Sequence, residues 1–241
     1  MEFMTAGFSG KGGRSGNEDA IFIRQEGSTC LAVVADGLGM HGGGEIASAA
    51  AVEAISMYLE NEADPDKKLL QECIEAANQA VLSKQTVTCK MKSTAAVLLS
   101  RNRRLAFAHV GDSRIYYFVN KKISYQSVDH SVSQMAVNTG EITPAQIRFH
   151  EDRNRLLRAL GGGEKIRPDI VLADRKAAEG DAFLLCSDGF WEYVLEAEME
   201  LDLLKSDTPQ EWLSYLLERV GRRIDASHDN LSAIAVFVCG K

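Results

Sequence analysis

The sequence predicts an α+β layered sandwich: two central antiparallel β-sheets flanked by helices on both sides, with a flap segment beside them. Three observations carry this reading. Strand-like apolar runs occur at the front, middle and end of the 241 residues, so the sheets draw on the whole chain. Four of them, 94–100, 104–110, 114–119 and 123–127, follow one another too closely for crossover helices, which favours antiparallel hairpins. Stretches of helical period, 45–61, 67–84 and 209–224, stand between the strands as covering layers require.

In chain order, residues 1–3 read as a cloning remnant before Met4, and 4–241 as one domain without repeats or composition breaks. Runs 20–24 and 29–35 make strands about a Glu26-Gly27-Ser28 turn. The alanine-rich stretch 45–61 is a helix. The next, 67–84, lines up Leu70, Ile74, Ala77 and Val81 on one stripe. After the four hairpin strands the pattern loosens over 131–165 into short helical pieces and loops ending in Gly161-Gly162-Gly163, a candidate flap. Strands return at 169–172 and 182–187. Helix 209–224 turns Trp212, Leu213, Leu216 and Leu217 inward, and 231–238 is the closing strand.

Composition narrows the function classes. A formal net charge of −7 argues against a nucleic-acid groove, which is ordinarily basic. No apolar run is long enough to span a bilayer, and no leader pattern is read at the N-terminus, so a cytoplasmic protein is expected. Cys30, Cys73, Cys89, Cys186 and Cys239 are odd in number and lack zinc spacing, which predicts reduced residues, several of them core hydrophobes.

The informative feature is where the acids fall. The run 31–35 leads into Asp36-Gly37, 183–187 into Asp188-Gly189, and 105–110 into Gly111-Asp112, while Asp229-Asn230 precedes the last strand. Taken singly, Asp-Gly is a common turn dipeptide. Together with Glu18-Asp19, the set suits hard cations, which take oxygen ligands. Two such ions sharing a carboxylate can activate water and stabilise in-line attack on phosphorus. Arg14 offers a fork for phosphate oxygens, or is simply an exposed loop arginine.

These residues fall in an ordered series: Arg14-Ser-Gly-Asn17-Glu18-Asp19, Asp36-Gly37-Leu38-Gly39-Met40-His41, Ser93-Thr94-Ala95, Gly111-Asp112-Ser113-Arg114, Asp129-His130-Ser131, Ser187-Asp188-Gly189 and His228-Asp229-Asn230. The series resembles the metal-dependent type 2C protein phosphatases, in their bacterial serine/threonine branch, over about residues 7–238. The resemblance implies hydrolysis of phosphoserine and phosphothreonine by a water between two divalent cations, Mn²⁺ or Mg²⁺, without a phospho-enzyme. It implies that Asp36 bridges the metals, that Asp188 and Asp229 complete one site, and that Glu18 and the Gly37 carbonyl serve the other. Asp19 would orient metal-bound water, Asp112 would help hold a third, weaker metal, and Arg14 would bind the substrate phosphate. Residues 4–241 would then be the catalytic domain, with the 131–165 flap near the active site. Implied partners are Ser/Thr-phosphorylated proteins and a cognate Ser/Thr kinase, with no nucleic acid or membrane and a monomeric state. Met40 departs from a glycine usual in the bacterial loop. Leu38 stands where animal relatives carry a proposed general acid, leaving His41 as the local alternative.

Rival chemistries fit less well. No cysteine has an arginine six residues on, as a thiolate phosphatase needs. Asp64-Pro65-Asp66 is the nearest match to an aspartyl-nucleophile strand end, but it lies in a polar linker. The remaining alternatives are a catalytically weak phosphoprotein-binding domain and a partner-switching regulatory phosphatase.

Overall fold

The computed structural model describes residues 2–39, 43–60 and 63–240. Met40 and His41 lie outside the described residues. The two sheets are antiparallel throughout, as the strand spacing predicts. One contains β1 (Glu2–Gly10), β11 (Leu231–Cys239), β10 (Ala182–Cys186), β7 (Arg114–Val119) and β8 (Lys122–Gln126), in that order. The other runs β2 (Asp19–Glu26), β3 (Thr29–Leu38), β5 (Ala95–Arg101), β6 (Arg104–Val110) and β9 (Asp169–Leu172), with the short β4 (Lys92–Ser93) paired to β3.

Alternation of side chains along the strands builds three apolar layers. Successive residues of a strand point to opposite faces, so a strand buried on both faces reads as an unbroken apolar run. In β3, Leu31, Val33 and Ala35 pack toward the helices, while Cys30, Ala32 and Val34 enter the layer between the sheets. β10 divides the same way, with Leu184 and Cys186 outward and Phe183 and Leu185 inward. None of the five cysteines is in a disulfide; burial pushes the thiols of Cys30 and Cys73 up to about 12.

Helices α1 (Gly44–Tyr58) and α2 (Lys67–Lys84) cover the β3 sheet. Asp66 caps α2, its carboxylate accepting the Leu69 N–H at 2.7 Å, so the Asp64-Pro65-Asp66 linker serves a helix start. The other sheet is covered by α4 (Asp188–Trp191), α5 (Glu196–Leu204) and α6 (Pro209–Gly221), whose Trp212, Leu213 and Leu216 are buried while Leu217 is partly so. Between them, the 131–165 segment holds α3 (Val132–Asn138) and a 3₁₀ turn at Pro144–Phe149. Its glycine-rich end is fixed on α2, where Asn78 Oδ1 accepts the Gly161 N–H at 2.8 Å.

Besides the short β4 and α4, two longer elements go beyond the sequence reading. β1 pairs with β11 over its whole length, from Glu2↔Cys239 to Gly10↔Leu231, with Phe3 only 2% exposed. Its alternation is muted by Ser, Thr and three small residues (Ala6, Gly7, Gly10). Helix α5 also escapes notice, because its buried face consists of Met199, Leu203 and a paired Asp202. Both α1 and α6 end about three residues earlier than their periodicity suggests.

Candidate functional site

The acids at the strand ends meet at one end of the sandwich. Asp36 lies in β3 directly opposite Asp19 of β2. Like charges in that position oppose pairing unless something positive sits between them. Asp188 opens α4 immediately after β10, and Asp112 follows β6 in the Gly111 turn. Burial holds the Asp36 carboxyl well above the usual carboxylate range, and Asp188, Asp19, Asp112 and Asp229 push it further. The same causes, burial first and Asp188 next, raise Asp112. Burial and then Asp229 raise Asp188 to about 6, and the Asp36 carboxyl hydrogen-bonds it. Asp19 rises to about 7, mostly through burial, against hydrogen bonds from Ser232 and Ser187.

Backbone and hydroxyl groups fix these carboxylates. The Asp36 N–H donates to Thr94 Oγ1 at 2.8 Å, and the Thr94 N–H returns to the Asp36 carbonyl at 2.8 Å. Ser187 Oγ donates to Asp19 Oδ2 at 2.8 Å, whereas Asp19 Oδ1 is buried with no partner. The Trp191 indole donates to the Asp112 carbonyl at 2.9 Å. Gly37 is required by close approach, since a Cβ there would stand 2.0 Å from the Gly44 carbonyl oxygen. That contact brings the Glu18 strand end against the start of α1, where the Gly44 N–H donates to the Glu18 carboxylate.

Glu18 and Arg14 belong to the other rim. Burial raises the Glu18 carboxyl, with Glu45 and Asp229 adding to the shift. Asn230 joins the pieces: its Oδ1 accepts the Glu18 N–H at 2.8 Å, and its Nδ2 donates to the carbonyls of Lys11 (2.8 Å) and Gly16 (2.9 Å). Arg14 does not stand free. Its Nε and Nη2 donate to the two oxygens of Asp229 at 2.9 and 2.7 Å. Both partners are exposed, 56% and 39%, so the pair is weakly held and exchangeable.

All eight candidate residues, Arg14, Glu18, Asp19, Asp36, Gly37, Asp112, Asp188 and Asp229, thus belong to one connected region. Sequence reasoning missed Glu45, which adds a carboxylate beside Glu18, and Glu192, raised to about 7 by burial and by Asp188. The organising role of Asn230 and Thr94 was also missed: Asn230 stands beside Asp229 in the sequence, whereas Thr94 meets Asp36 only through contacts 58 residues apart. Hard divalent cations fit the donor set: clustered carboxylates repel one another here, and one buried carboxylate oxygen has no hydrogen-bond donor.

A second cluster is closer packed but unsuited to a cation. Ligand atoms of His109, His130 and Asp169 lie within 4.8 Å of one another, and no other such trio occurs among the described residues. The two imidazoles stack at 4.7 Å, 12° from parallel, so their lone pairs do not converge. His130 Nδ1 accepts the Gly111 N–H at 3.1 Å, and Arg158 already lies 3.0 Å from Asp169 Oδ1. Burial, then the neighbouring His109, lowers His130 to about 4, and burial lowers His109 as well.

Converging carboxylates at one end of a two-sheet sandwich make a donor set of the class that holds hard divalent cations. Residues 12–233 match the protein phosphatase 2C family, and the chain belongs to it. It is 30% identical over 229 residues to the serine/threonine protein phosphatase PstP of Mycobacterium tuberculosis, covering 93% of this chain but 43% of that protein. The chain therefore spans less than half the length of that relative. It is 34% identical over 203 residues to the serine/threonine phosphatase stp of Listeria welshimeri, covering 80% of this chain and 79% of that one. A solved PstP catalytic domain, in complex with two manganese ions, superimposes with a TM-score of 0.85 at 27% identity, covering 99% of both chains. No described helix is long and apolar enough to cross a membrane.

Proposed function

We propose that residues 4–241 form the catalytic domain of a metal-dependent protein serine/threonine phosphatase, with 131–165 as the flap beside its site. The observation that carries this reading is the placement of Asp36 opposite Asp19 in register, among Asp188 and Asp112, with a buried Asp19 oxygen lacking a donor. Asp36 would be shared by two cations, with Asp188 and Asp229 on one and Glu18 and the Gly37 carbonyl on the other. Asp112 would serve a weaker third ion. Bound Mn²⁺ or Mg²⁺ supplies the Lewis-acid charge that activates water for direct attack on phosphorus.

The chain's own residues supply the rest. Thr94 and Ser93 hold the Asp36 backbone, and Ser187 fixes Asp19, whose other oxygen, which has no partner, would orient a water. Arg14 would turn to the substrate phosphate the two parallel N–H donors that Asp229 accepts here. Arg14→Ala is then expected to lower kcat/KM by roughly ten- to a hundredfold, the size of a lost charge-assisted pair. The Mn²⁺ concentration for half-activity should change little, and a variant shifted mainly in that concentration would count against the phosphate role.

Substrates are phosphoproteins, with a cognate serine/threonine kinase as functional partner, and the domain acts as a cytoplasmic monomer. The deciding experiment is turnover of a phosphothreonine peptide with Mn²⁺ or Mg²⁺ and then with chelator. Metal-dependent release of phosphate is expected. Chelator-resistant turnover, or none with either metal, overturns the reading.

A further inference from the structure

Residues 153–160 border the carboxylate cluster from one side to the other. Arg153 Nε stands 3.0 Å from Glu192 Oε1, one turn past Asp188. At the far end, Leu160 exchanges both backbone hydrogen bonds with Ser93 (2.8 and 3.1 Å), and Ser93 Oγ donates to the Asp36 carbonyl at 3.1 Å. Between these anchors the backbone is also held, because Ser131 bridges Leu156 and the Val132 N–H donates to the Arg155 carbonyl at 2.9 Å. The run is thus a fixed edge. Asn154, Arg155, Leu157 and Arg158 are its exposed side chains.

The charge of this edge runs against that of the protein. Residues 148–160 carry four arginines against Glu151 and Asp152, a net +2 in a chain of net −7. Arg148 is turned inward onto Glu196 at 2.8 Å, and Arg158 is anchored on Asp169. Arg155 is the exception. Its side chain is 70% exposed, and its one ion pair among the described residues is with Asp152, three residues back at 3.0 Å. Such a solvent-exposed pair contributes little and exchanges readily for another carboxylate. An acidic peptide segment is repelled by the protein as a whole and is attracted locally at this edge.

We propose that Arg155, at the centre of this edge, is a specificity-determining residue that reads acidic side chains flanking the phosphorylated residue of the substrate. The proposal rests on the phosphatase reading above. Its guanidinium would exchange Asp152 for a substrate Glu or Asp, while the phosphate is held at the carboxylate cluster.

The test compares three phosphothreonine peptides, with Glu, Ala or Lys at the flanking positions, under Mn²⁺, in the native chain, Arg155→Ala and Arg155→Glu. The native chain should favour the Glu peptide in kcat/KM. Arg155→Ala should lower the Glu/Ala ratio about two- to fivefold, as one exposed ion pair allows, and Arg155→Glu should invert the preference toward Lys. Thermal melts establish that both variants are folded, and Arg155→Gln replaces either one that is not. Peptide turnover without a flank preference, or with one unchanged in the variants, overturns this proposal and leaves the phosphatase reading standing. Absence of metal-dependent turnover of any peptide, and of p-nitrophenyl phosphate, by the native chain overturns both.

Discussion

Asp36→Asn is expected to abolish metal-dependent phosphate release while leaving the metal-free protein at least as stable as the native chain. The two halves of this expectation have the same cause. Asp36 is held well above the ordinary carboxylate range by burial and by Asp188, Asp19, Asp112 and Asp229. Without cations, its charge is a liability to the fold, and asparagine removes it at nearly constant shape. With cations the sign reverses, because the shared carboxylate is what a pair of divalent ions requires. Activity should fall by at least about three orders of magnitude, which is about 4 kcal/mol of lost barrier lowering.

The stability readout separates this from simple damage. A metal present at a hundred times its dissociation constant stabilises a native protein by about 2.7 kcal/mol. For a chain of this size that is a rise in Tm of roughly 5–10 °C. The native chain should show such a rise with Mn²⁺, and Asp36→Asn should lose most of it. In chelator the variant should melt no lower than the native chain. Mn²⁺-dependent turnover within about tenfold of native would remove Asp36 from the centre of the site. A chelated variant that melts much lower would mean that the carboxylate supports the fold rather than a cation.

How much of this was legible in the sequence follows from what kind of contact each feature is. The strands buried on both faces were plain, because β3, β5, β10 and β11 place alternate apolar residues in two different cores and so read as unbroken runs. The acids ending those runs were equally visible, and the register that sets Asp19 opposite Asp36 explains why they converge. β1 was not visible, since its stability comes from pairing with residues more than two hundred positions away. The same holds for the Arg14–Asp229 pair, separated by 215 residues, and for Asn230, which ties Lys11, Gly16 and Glu18 together. Local pattern shows which face of an element is buried. It does not show which distant carbonyl an amide will meet.

The buried ion pair behind the site should be the most sensitive structural point. Arg114 and Asp129 are 3% and 2% exposed, and form two hydrogen bonds of 2.8 and 2.7 Å. The guanidinium also stacks 3.4 Å from the Trp191 ring centroid, and that same indole holds the Asp112 carbonyl. Asp129→Ala leaves a fixed positive charge in the interior, since an arginine does not shed its proton. The expected cost is about 3–5 kcal/mol, a fall in Tm of roughly 6–20 °C. Glu196, 3.6 Å from Arg114, is a neighbouring carboxylate able to soften the loss, and it is already engaged by Arg148 at 2.8 Å. Replacing both partners, as Arg114→Met with Asp129→Leu, should recover most of the stability, because the penalty lies in the unpaired charge rather than in the absence of the pair. A single-variant cost below about 1 kcal/mol, the range of exposed pairs, would show that water or Glu196 reaches Arg114. A double variant as unstable as the single would place the cost in lost packing around Trp191 instead.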